Sequence, residues 1–231
     1  MSEWKYQPDV PEKSRIEPFF YKQMGYEPST NTLPPQILKQ AGEALETGLS
    51  LSRPTAIVKL TAVREITRTH IHADDIAIES PLWAALAESA ARPITVALFA
   101  ITLGQGISNA TASARERSLS QAYFLHEAGT AIIEKTADEL ETRIKDIPQL
   151  QGLCASRRFS PGYCDLGLYN QWPIFHFLRP ETIGIELTDS YAMRPEKSIT
   201  AAVLFTRHLK AVSPCRGCRN DTCAHRRDLR N

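Results

Sequence analysis

The spacing of apolar positions changes along this chain, and each change marks an element. Between residues 36 and 51 the residues Ile37, Leu38, Ala41, Ala44, Leu45 and Leu49 recur at helical spacing, and Pro34-Pro35 just ahead suits a first helical turn. Residues 55–63 (TAIVKLTAV) are β-branched with partial alternation. Residues 76–78 form a shorter run of the same kind, and both predict strands with a polar turn between them. Residues 81–91 predict a helix capped by Ser80. Residues 94–103 (ITVALFAITL) are apolar nearly throughout and bounded by Pro93 and Gly104, as expected of a strand covered on both faces at the centre of a sheet.

From about residue 110 to 145 the chain is rich in Ala, Glu and Leu without Pro, which predicts one long helix or two joined ones, stopped by Pro148. Gly129 in its middle marks a point of close packing. Residues 156–172 are dense in Gly, Pro and aromatics and predict an ordered loop, followed by a helical turn at 174–178 and strands at 183–188 and 198–206. Residues 1–35 read as an arm with one short helix near the run from Pro18 to Tyr26, 36–206 as the main domain, and 207–231 as a tail. The order of elements predicts an α+β fold: a twisted, largely antiparallel sheet flanked by helices, one of them long.

Composition narrows the function classes. The 231 residues carry 27 Lys and Arg against 26 Asp and Glu, a net charge of +1, so no global field favours a polyanion and nucleic acid is not an expected partner. The hydrophobic share of 42% suffices for a core. The longest apolar stretch, 94–103, is half the ~20 residues a spanning helix needs, so no membrane insertion is expected. The start, Met1-Ser2-Glu3-Trp4-Lys5-Tyr6, has no basic-then-apolar signal, which places the expected location in the cytoplasm. Five Cys in that reducing setting point to metal binding, redox work or plain burial rather than a disulfide framework.

The most distinctive string is Arg158-Phe159-Ser160-Pro161-Gly162-Tyr163-Cys164-Asp165. Pro161-Gly162 makes a tight turn whose glycine lets a ligand approach the backbone, Arg158 offers a planar fork for a carboxylate, and Tyr163 offers a flat face. These parts suit an amino acid joined to an aromatic base, and equally a structural turn with a surface arginine. The pattern continues as Ile183-Gly184-Ile185-x-Leu187-Thr188-x-Ser190-x-Ala192-Met193-x-Pro195-x-x-Ser198, and upstream stands Ala128-Gly129-Thr130-Ala131-Ile132-Ile133-Glu134 with Ala137-Asp138-x-Leu140. Together they resemble the reactivation domain of cobalamin-dependent methionine synthase and its free-standing relatives, over most of residues 93–206.

That resemblance implies binding of S-adenosylmethionine, with Arg158 at its carboxylate end and Tyr163, Pro161 and Gly162 lining the pocket. It puts Glu134 on the helix position whose acid lies in the cleft, and makes Glu17, before Pro18-Phe19-Phe20, the candidate acid of the N-terminal segment. It further implies cobalamin held only by a partner, a methionine synthase or related corrinoid protein, and an electron donor such as a flavodoxin. The expected function is reductive reactivation of a corrinoid methyltransferase.

A second constellation is Cys215-x-x-Cys218-x-x-x-x-Cys223, on a loop begun by Pro214 and containing Gly217, with Cys164, Cys154, His225 and His208 as candidate fourth ligands. Three thiols so close in sequence can converge on one zinc ion or an iron-sulfur cluster. Residues 207–231 carry seven Lys and Arg against two Asp, a net +5 that suits a solvated end or docking on an acidic partner. Two readings from other classes stand beside reactivation. One is a zinc- or iron-sulfur-containing regulatory module with a degenerate cleft. The other is a metal hydrolase built on His70, His72 and Asp74, although on a strand the two histidines would simply share one face. Gly104-Gln105-Gly106 lacks the third glycine and the second-strand acid of a dinucleotide site and reads as a strand-to-helix turn.

Overall fold

Alternation explains the architecture. In a strand, successive side chains point to opposite faces, so a strand apolar at every position must be covered twice. In the computed structural model, which describes residues 3–26, 33–92, 94–208, 215, 217 and 219, β5 (Thr95–Thr102) is that strand. Its Ala97, Phe99 and Ile101 enter one core, and its Val96, Leu98 and Ala100 enter the other. It lies between β2 (Thr55–Ile66) and β9 (Ser198–Thr206), antiparallel to both, as the apolar run predicts.

The rest of the sheet is assembled around these three strands. β3 (His70–Ala73) and β4 (Ile76–Glu79) extend it beyond β2, β6 (Cys154–Ala155) closes the edge next to β9, and β1 (Glu3–Tyr6) pairs with the first half of β2. Every pairing is antiparallel, and the sheet curls into a half-barrel. On one face pack α1 (Lys13–Gln23), α2 (Pro35–Leu51), α4 (Gly106–Arg115) and the 26-residue α5 (Leu119–Ile144). On the other lie α3 (Pro81–Glu88) and α6 (Gln171–Leu178). No helix of the described residues is long and apolar enough to cross a membrane.

Two segments depart from the pattern-based reading. In the N-terminal arm the short helix forms as α1, but β1 also joins the sheet, and Ile16 and Phe20 of α1 are fully buried. The cause is tertiary pairing with β2, which local periodicity does not carry. The expected strand at 183–188 shrinks to β7 (Glu186–Leu187), which pairs only with β8 (Met193–Arg194) in a separate hairpin. There a turn over Pro180–Ile183 ends at Gly184 with φ +77°, which breaks the extended run. The long helical block takes the second of its two expected forms, two joined helices, divided ahead of the Ser118 cap, whose hydroxyl accepts from the Gln121 amide at 3.3 Å. The Ser80 cap on α3 forms as expected, accepting from the Trp83 amide at 3.1 Å.

Two helical glycines predict opposite outcomes. A Cβ on Gly106 would stand 2.8 Å from the Leu51 carbonyl oxygen, whereas nothing lies within 4 Å of one on Gly42. Gly106→Ala is expected to lower stability by about 1–3 kcal/mol through overpacking against backbone. Gly42→Ala is expected to raise it by about 0.5–1 kcal/mol through helix propensity and unfolded-state entropy. Urea midpoints of the two variants check both signs.

Candidate functional site: a cleft between the long helix and the Pro-Gly turn

The strand alternation that builds the core also aims the site. After β6 the chain stays against β9: the Ser156 amide donates to the Leu204 carbonyl at 2.9 Å, and Phe159 and Ala202 exchange backbone bonds of 2.8 and 2.9 Å. Phe159 is buried in the α3 and α6 core, its ring 6.1 Å from that of Trp83. Its neighbour Arg158 therefore points the other way, toward α5.

There it meets acids spaced four and three apart on one helix face. The Arg158 guanidinium donates to Glu134 Oε2 at 2.6 Å, Asp138 Oδ1 at 2.5 Å, Glu141 Oε2 at 3.2 Å and the Glu134 carbonyl at 3.3 Å. Arg158 and Glu134 are each only 7% exposed. Burial works against the guanidinium's charge, but the combined pull of Glu134, Asp138 and Glu141 holds its pKa above the ordinary arginine value. Lys135 Nζ is 3.6 Å from Asp138, which brings a second cation to the cluster.

The turn follows directly. Gly162, at φ +92°, donates to the Leu166 carbonyl at 2.7 Å; besides the strained φ, a Cβ there would come 3.1 Å from Leu168 Cδ2. Asp165 then accepts from the Ser80 hydroxyl at 2.8 Å and the Leu82 amide at 2.7 Å, which fastens the turn to the start of α3. Pro161 is buried and Gly162 exposed. Tyr163, 37% exposed, leans over the cluster and donates from its hydroxyl to Glu134 Oε1 at 3.3 Å.

Arg158, Tyr163 and Glu134 thus meet at one place, beside the turn that Pro161 and Gly162 form. Glu17 stands on α1 with Lys13 and Tyr21 as its charged and polar neighbours. Its helix runs beside α5, where Arg15 pairs with Glu139 and Lys135 Nζ lies 4.9 Å from the Phe19 ring centre. Asp138 and Glu141 were not among the expected site residues; their spacing from Glu134 is the signal that marks them. Of the tail thiols, Cys218 and Cys223 lie outside the described residues, and among the described residues no group of three or more His, Cys, Asp or Glu is placed to hold a metal. The hydrolase reading of His70, His72 and Asp74 is corrected on that ground. The two imidazoles stack with centroids 5.6 Å apart on one strand face, and Asp74 is taken by Arg64.

A solved structure shares this fold. It is the crystal structure of the MetH reactivation domain bound to AdoHcy, matched with a TM-score of 0.62 over 91% of this chain and 80% of that one, at 12% identity. The sequence matches no protein-family model and no curated protein. The likeness to the MetH reactivation domain is one of fold, and at this identity it carries the architecture rather than the residues.

Arg158→Met would strand three acids around a missing cation, so it is expected to cost about 3–5 kcal/mol of stability. Adding Glu134→Gln is expected to return part of that loss, because one orphaned charge is removed with its partner. Urea denaturation of the wild type, both single variants and the double variant measures the coupling.

Proposed function

We propose that this protein binds S-adenosylmethionine in the cleft between α5 and the Pro161-Gly162 turn and presents its methyl group to an oxidised corrinoid held by a partner protein of the methionine synthase type. The observation that carries the reading is the convergence of Arg158, Glu134 and Tyr163 in a fold shared with a reactivation domain that binds AdoHcy.

The residues suit this ligand chemically. Adenosylmethionine carries an ammonium and a sulfonium against one carboxylate, and the carboxylates gathered on α5 suit its positive groups. The half-exposed Tyr163 ring offers a face for a planar base, and the exposed Gly162 stands next to it in the turn. Arg158, already shared among three acids, keeps Glu134 oriented toward the cleft.

When bound, adenosylmethionine supplies a methyl group that passes to the one-electron-reduced cobalt while the thioether leaves, so each methylation draws an otherwise uphill reduction forward. No proton moves in that transfer. The chain's own task is to hold the donor at the right distance and angle, which is catalysis by proximity. An electron donor such as a flavodoxin completes the reaction.

Two measurements test this. With isotopically labelled adenosylmethionine, a one-electron reductant and an oxidised corrinoid protein, label is expected on the corrinoid only when this protein is present; equal transfer without it would remove the function. Tyr163→Ala is expected to weaken adenosylmethionine about 10- to 100-fold, the scale of losing one aromatic stacking contact, as read by calorimetry. Unchanged affinity would remove Tyr163 from the site.

A further inference from the structure

Seven large hydrophobic side chains are exposed among the described residues, and four of them fall in the ten positions from Tyr163 to Trp172. Trp172 is 63% exposed, Leu168 49% and Tyr169 46%. Apolar residues exposed singly need no explanation, but a cluster on one segment does. The same stretch is nearly free of charge. Residues 161–178 contain no Lys or Arg and one acid, Asp165, which is engaged by the Ser80 hydroxyl and the Leu82 amide. A solvated helix face carries charges, whereas the centre of a protein interface is depleted of them and enriched in Trp and Tyr.

The segment that carries these side chains is firmly held. Leu168, Trp172 and His176 recur at intervals of four along the turn Leu168–Asn170 and α6, which puts them on one face. The Trp172 and His176 rings stack with centroids 5.8 Å apart and planes 5° apart. The opposite face of α6 sends Ile174, Phe175, Phe177 and Leu178 into the core. Between Tyr169 and Trp172 two buried amides anchor the chain to the sheet. Asn170 pairs with both backbone groups of Glu79 at the end of β4, at 2.9 and 3.1 Å, and Gln171 accepts from the Thr200 hydroxyl of β9 at 2.6 Å. Tyr169 folds over Gly167, where a Cβ would come 2.3 Å from its ring. Exposed aromatics fixed in this way lose little freedom when a partner covers them.

The stripe is continuous with the turn that bears Tyr163. Leu168 packs beside Gly162, and the next residue, Tyr163, leans over Glu134. We infer that Leu168, Trp172 and His176 form the face on which the corrinoid protein docks, with Trp172 as its anchor; this rests on the methyl transfer proposed above. The reason is geometric. Direct transfer brings the cobalt and the methyl carbon to about 3–3.5 Å, so the protein around the corrin must bear on the surface next to Tyr163. The chemistry agrees: the rim of a corrin carries methyl groups and neutral amides, which an uncharged aromatic face suits better than a charged one.

Two affinities measured by calorimetry separate this face from the ligand site. The probes are adenosylmethionine and an oxidised corrinoid protein of the methionine synthase type that lacks a reactivation domain of its own. Trp172→Ala is expected to weaken the corrinoid protein about 10- to 100-fold, the scale of losing a central aromatic anchor, and His176→Ala about threefold. Adenosylmethionine is expected to stay within about twofold in both. Trp172→Phe, which keeps an aromatic face, is expected to restore most of the lost affinity. Leu119→Ala, an exposed apolar position on α5 across the sheet, is expected to change neither affinity. Undiminished binding of the corrinoid protein by Trp172→Ala, or none by a wild type that binds adenosylmethionine, overturns the docking face and leaves the ligand site standing. A wild-type dimer that Trp172→Ala turns into a monomer in sedimentation also overturns it, because the face then belongs to a second copy. A wild type that does not bind adenosylmethionine overturns the functional reading, and this inference with it.

Discussion

A buried guanidinium shared by three carboxylates is the interaction on which the cleft depends. Taking such charges out of water costs several kcal/mol per ion, and the guanidinium offsets that cost by reaching an oxygen of each acid at hydrogen-bond distance. In return it ties the segment after β6 to the second half of α5 and settles which way Glu134 faces. It also restricts Arg158, whose fork is already engaged before any ligand arrives.

The sheet prepares this arrangement. Because Phe159 continues the antiparallel pairing with β9, the pleat sends its ring toward α3 and the preceding side chain, that of Arg158, toward α5. Asp165 then fastens the far end of the turn to the start of α3, where a negative charge suits the exposed amides of a helix beginning. The ordered loop thus has both ends held by elements on opposite faces of one sheet. Tyr163 projects from between them.

What the sequence discloses follows from how local each cause is. The run at 94–103 is apolar on both parities, so its central, doubly covered place was legible. The helical spacing of α2 and the cap at Ser80 are likewise contained within a few residues. β1 was not legible, because Glu3–Tyr6 is a strand only by virtue of β2, more than fifty residues away. Glu134 was accessible through a family likeness, and Asp138 and Glu141 through helical arithmetic.

Amide hydrogen exchange, compared with and without saturating adenosylmethionine, tests the central claim most directly because it locates the ligand without assuming any residue's role. The account predicts slower exchange concentrated in residues 156–166 and in the half of α5 from His126 to Glu141, with the β3–β4 hairpin unchanged. Protection absent everywhere, or confined to that hairpin or to α6, would contradict it.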